Sequence, residues 1–161
     1  MFHRYRFVLG GLLVVLASAV LAYGVWAIAP NALRPAGTTR YAVVQDSSVI
    51  ATSDTTYTPT GLQQGITIPS GKVGDVFVSF CAPTKTTAGV VWVRAKLGGA
   101  VLSPGTFLFH EGNVYGSNCA NFYKLNAAEG TRTVKIEWAI TGGMGTANMY
   151  GQSMIITVNI H

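Results

Sequence analysis

The chain has 161 residues and a formal net charge of +5, yet only 11% of its residues are charged, 49% are hydrophobic and 19 are glycine. That balance excludes charge-driven disorder and suits one domain with one core. Segment 38–161 carries eight basic and six acidic residues, and its cations are scattered singly, so nucleic acid is not an expected partner.

The first element is apolar. Residues 7–29 form 23 positions without a charged side chain, preceded by His3, Arg4 and Arg6. As a helix this run is about 35 Å long, enough for a hydrocarbon core of about 30 Å. Small residues at Ala17, Ser18 and Ala19, and again at Ala22, suit a signal peptidase. A cut after Ala19 or Ala22, however, would leave an apolar tail ending GVWAIA, and a cut after Ala29 meets Pro30. The expectation is therefore an uncleaved signal anchor, with the secreted, cleaved form as the alternative. Positive flanks stay in the cytoplasm. Residues 1–6 are read as a cytoplasmic N-terminus, 7–29 as the transmembrane helix and 30–40, with Pro30, Pro35 and Gly37, as a stiff linker. Residues 41–161 are the exported domain.

From Tyr41 onward the hydrophobic period is two. Strands are expected at 41–45, 66–68, 73–82, 90–97, 106–110, 120–125, 133–140 and 153–160. In TVKIEWAI (133–140), Val134, Ile136, Trp138 and Ile140 face a core; in 153–160 Met154, Ile156, Val158 and Ile160 do the same. Breaks are read at Pro69-Ser70-Gly71, Gly98-Gly99, Ser103-Pro104-Gly105 and Gly116-Ser117-Asn118, and Gly142 to Gly145 reads as a hairpin tip between the last two strands. The fold class is all-β: an antiparallel two-sheet sandwich, jelly roll or immunoglobulin-like, behind one N-terminal transmembrane helix.

Cys81 and Cys119 are the only cysteines, and on the exported side of a leader the simplest reading of a pair is a disulfide. Closing that loop stabilises the fold by about 3–4 kcal/mol in the chain-entropy model. Two buried thiols and a metal pair are the weaker readings, since no CxxC or HxxxH spacing accompanies them.

The run GTRTVKIEW, Gly130 to Trp138, resembles the late strand of bacterial surface and phage-type jelly-roll domains, in which a glycine turn after an acidic or small residue opens the strand. WVRAKLGG, Trp92 to Gly99, is similar in style to their strand-turn unit. The resemblance implies a sandwich and no activity.

No GxSxG, HExxH, Walker or dinucleotide motif occurs, so no enzyme, cofactor or metal is expected. His110 reads as a strand-end histidine facing water, with Glu111 on the opposite strand face. Glu129 and Glu137 read as unburied, Glu137 pairing with a cross-strand base. The candidate ligand-binding residues are Trp92, Arg94, Tyr115 and Tyr123: aromatic rings beside Arg and Asn suit sugar or protein surfaces. Trp92 faces outward if Val91, Val93, Ala95 and Leu97 face the core, and inward if it shares a face with Val90. The leading functional reading is a non-catalytic, membrane-anchored structural or accessory subunit of a cell-envelope complex or surface assembly, with protein partners or self-assembly. The alternatives are a surface carbohydrate- or protein-binding module, or a secreted filament subunit after signal cleavage.

Overall fold

The structure, a computed structural model, describes residues 37–142 and 145–161. The expected cytoplasmic segment, the membrane span at 7–29 and the linker as far as residue 36 lie outside the described residues. Among those described, no helix is long and apolar enough to cross a membrane.

Nine strands form in chain order: β1 (Thr38–Asp46), β2 (Ile50–Thr52), β3 (Thr58–Thr86), β4 (Val90–Leu97), β5 (Ala100–Val101), β6 (Phe107–Glu111), β7 (Gly116–Thr141), β8 (Ala147–Met149) and β9 (Gln152–Ile160). Every pairing is antiparallel, and the main path runs β1-β9-β3-β7-β4-β5. β6 pairs with β4, while β8 joins β2 to the end of β3. β1 begins at Thr38, so residues 38–40 of the expected linker are the first rungs of its ladder with β9.

Two long strands make the sandwich. β3 and β7 pair along almost their whole length, with the register shifting between Ile68 and Val73. There Gly71 and Gly130 both take positive φ (72° and 116°), the left-handed conformation that a glycine adopts without steric cost. The bend carries the ladder from one layer to the other. The first layer holds β1, β9 and the parts of β3 and β7 beyond and before the bend, 73–86 and 116–128. The second holds 58–68 and 130–141 with β4, β5 and β6.

The layers meet at the core. Phe80 of β3 and Phe109 of β6 stack with ring centroids 5.3 Å apart, and both are buried. The alternation in 133–140 and 153–160 is as expected: Val134, Ile136, Trp138 and Ile140, and Met154, Ile156, Val158 and Ile160, all belong to one buried cluster. Each such side chain, fully removed from water, contributes about 1.5–3 kcal/mol.

Three expectations are corrected. Pro69-Ser70-Gly71 and Gly116-Ser117-Asn118 are not strand ends: the first is a bend inside β3 and the second opens β7. A glycine is compatible with a bulge as well as a turn, and period-two reading does not separate them. The expected hairpin between 133–140 and 153–160 does not form, because β8 intervenes and β9 lies between β1 and β3, away from the end of β7; residues 143 and 144 of the expected tip lie outside the described residues. Glu137, expected to be unburied, is 9% exposed, because Arg94 and Lys96 cover it.

Candidate functional site

In the first layer, residues at odd positions of β1, β9, β3 and the start of β7 point away from the core. Registers place Tyr41 opposite Thr157, Thr157 opposite Phe77, and Phe77 opposite Tyr123. One straight row thus crosses four strands, about 14 Å from end to end at the usual strand spacing. The next row is Val43, Ile155, Ser79 and Asn121. Tyr41 is 72% exposed, Phe77 41% and Tyr123 44%. Burying large rings is worth enough that leaving three in one row exposed is unusual for a face with no partner. Between the rings lies a shallow depression of about 200 Å³, lined by Phe77, Ser79, Asn121, Tyr123, Ile155 and Thr157.

Beyond it on the same ladder, Cys81 and Cys119 face each other on one rung and form the expected disulfide, Cα atoms 4.1 Å apart. Cys119 is exposed, so the bond staples the outer face of one layer and does not join the two. Behind Tyr123, the connection from β5 to β6 closes the free edge: Ser103 N–H donates to Tyr123 O (3.0 Å), and Tyr123 N–H donates to Ser103 O (2.9 Å).

The four expected ligand residues do not form one site. Tyr123 lies on the aromatic row. Tyr115 immediately precedes β7, edge-on to Tyr150 at 4.9 Å and beneath the Lys85 ammonium at 4.7 Å. Trp92 and Arg94 are on β4, in the other layer. Trp92 does face outward, with Val91, Val93, Ala95 and Leu97 buried behind it, but its ring is half-buried and its indole Nε1–H donates to Thr141 Oγ1 at 2.8 Å. Arg94 donates to Glu137 Oε2 at 2.7 Å and lies 4.0 Å over the Tyr57 ring. Both are engaged within the sheet. Phe77 and Tyr41 were missed by sequence reasoning. The signal was present: if Val76, Val78 and Phe80 face the core, Phe77 must face out.

His110 is held at both ring nitrogens: Asn118 Nδ2–H donates to Nδ1 (3.0 Å), and Nε2–H donates to Gly112 O (3.1 Å). It clamps the connection between β6 and β7. Among the described residues, no three His, Cys, Asp or Glu side chains gather as a metal site.

No family model and no curated protein matches the chain. Several solved structures are similar in outline. One is the CBM36-1 domain of a multidomain xylanase from the hindgut metagenome of Trinervitermes trinervoides, at 15% identity and TM-score 0.39, covering 71% of this chain and 96% of that one. Another is the EclA C-terminal domain, a sugar-binding protein, at 10% identity and TM-score 0.39, covering 73% and 78%. A third is the VP2 subviral particle of infectious bursal disease virus, at 10% identity and TM-score 0.39, covering 75% and 33%. A frame does not set a function, which has to be argued from this chain's own residues.

Proposed function

We propose that the chain is a non-catalytic module that binds carbohydrate on the outer face of its first layer. The observation that carries this reading is the row Tyr41, Phe77 and Tyr123, exposed on one sheet face with Thr157 among the rings and Ser79 and Asn121 in the next row. A sugar ring has an apolar C–H face and a rim of hydroxyls. Aromatic rings receive the first, and the amide and hydroxyl side chains pair with the second. A sheet holds these groups in place before the ligand arrives, which limits the entropy lost on binding. The reading invokes no reacting group. It places the domain outside the cytoplasm, held by residues 7–29, a location that suits the Cys81–Cys119 disulfide.

The test is binding of the full chain in detergent to a panel of soluble and insoluble polysaccharides. Retention on at least one, weakened about tenfold or more by Phe77→Ala or Tyr123→Ala at unchanged melting temperature, is the expected result. Binding that persists in the double variant would move the site off this face, and no binding to any polysaccharide would end the reading.

A second reading, a subunit of an envelope assembly, is supported by β1. Its nine residues pair only with β9 among the described strands, and Tyr41 and Val43 stand exposed on it. An edge of that length is a template for strand addition. Concentration-dependent sedimentation, abolished by Val43→Pro, would favour assembly over glycan capture.

A further inference from the structure

The outer face of the second layer gathers cations that the chain keeps apart. Lys96 of β4 stands directly opposite Lys135 of β7. A like-charge pair in that position is unfavourable in a bare sheet. Glu137, two rungs away on the same face, is engaged already: its carboxylate takes Arg94 at 2.7 Å and Lys96 at 3.2 Å, and its side chain is 11% exposed. Arg132 adds a third cation, its aliphatic stem packed over Gly98. The Lys135 ammonium and the Thr133 hydroxyl have no side-chain partner among the described residues. Between these groups lies an open cleft of about 530 Å³, a volume in the usual range for small-ligand sites, lined by Lys96, Gly98, Gly99, Thr131, Arg132, Thr133 and Lys135 and by Glu137, whose carboxylate is the one acidic group there and is already taken up by Arg94 and Lys96.

We propose that this cleft is an anion site that takes an acidic glycan, its carboxylate or sulfate groups held by Lys96, Arg132 and Lys135 and its hydroxyls by Thr133. The proposal concerns a different face from the aromatic row and stands without it. Two features select the ligand class. Among the described residues no aromatic or aliphatic side chain lines the cleft, so these residues offer nothing for a nucleobase to stack on or an acyl chain to lie against. The cations form one compact group in a segment of eight basic and six acidic residues, not the long basic stripe that tracks a nucleic-acid backbone. A bound anion also offsets the repulsion between Lys96 and Lys135.

The experiment measures binding of the full chain in detergent to dextran sulfate and to polygalacturonate, with neutral dextran and a short DNA duplex as comparisons, over a range of salt. Expected is salt-sensitive binding to one or both acidic polymers, the tighter one identifying the anion, with little binding to neutral dextran. Lys135→Gln and Arg132→Gln should each weaken it about five- to tenfold and lower the log–log salt slope by about one. Lys124→Ala, which removes an exposed charge in the first layer, should leave it unchanged. Equal binding of neutral dextran by a chain that also carries Phe77→Ala and Tyr123→Ala, which removes the aromatic row, tighter binding of the duplex, or full affinity in Lys135→Gln and Arg132→Gln would each overturn the proposal. Because Lys135 is exposed and unpaired among the described residues, an unchanged melting temperature in Lys135→Gln separates lost binding from lost folding.

Discussion

Phe77 of β3 and Tyr123 of β7 face each other on one rung and both turn their rings outward, while the next rung, Val78 and Phe122, turns wholly inward. Side chains alternate along a strand, so one position separates a solvent-facing ring from a core ring. Phe77→Ala should change unfolding stability by about 1 kcal/mol or less, and Phe80→Ala, whose ring packs on Phe109, should cost about 3–5 kcal/mol. Urea unfolding of the two variants checks this; similar losses would mean that Phe77 is held by the fold.

The disulfide joins residues already paired in a ladder, across a sequence separation of 38. Its effect is expected mainly through the unfolded chain, about 3–4 kcal/mol in the entropy model. Replacing both cysteines with serine should lower the unfolding free energy read from urea titration by that amount while leaving the native circular dichroism unchanged. Because Cys119 is exposed, a mild reductant should reach the same state without denaturant.

Glu137 is shielded and held by two cations. Removing the carboxylate leaves Arg94 and Lys96 facing each other without it, so Glu137→Ala should cost about 2–3 kcal/mol and Glu137→Gln less, since an amide oxygen still accepts a hydrogen bond. In a double-mutant cycle with Arg94→Ala, the combined loss should fall short of the sum of the single losses. Additive losses would mean that the pair is uncoupled.

Gln152, at the start of β9, is 1% exposed, and neither atom of its amide group has a partner among the described residues. A buried amide without partners is a net penalty. Gln152→Met, close in volume, should raise stability by about 1 kcal/mol, read as a higher melting temperature; a fall would reveal a partner for the amide.

Much of the architecture was legible in the chain. TVKIEWAI shows its buried face by alternation alone, and so does VVWVRAKL once Val91, Val93, Ala95 and Leu97 are assigned inward. Trp92 stayed ambiguous because a tryptophan suits either side; the Thr141 hydroxyl that receives its indole N–H is 49 residues away in sequence. The break at Pro69 to Gly71 was misread because glycine and proline mark a bend inside a long strand as readily as its end, and the one at Gly116 to Asn118 because turn-forming residues there are already the first paired residues of β7. Of the candidate ligand residues only Tyr123 falls on the aromatic row, since its neighbours Phe77 and Tyr41 lie in runs, VFVSF and YAVV, where apolar residues on both faces obscure the outward ring.

What the sequence by itself determined is local: an all-β chain, which side of each strand meets the core, a cysteine pair available to join, and a domain close to neutral. These follow from backbone geometry, because a strand repeats every two residues whatever it pairs with. Only the tertiary structure decided which strands are neighbours and in what register. That choice rests on core packing between distant segments, and it lines up Tyr41, Phe77 and Tyr123 on one face and sets Lys96 against Lys135 on the other. The cations are single in the chain and clustered in the fold because neighbours across a sheet need not be neighbours in sequence.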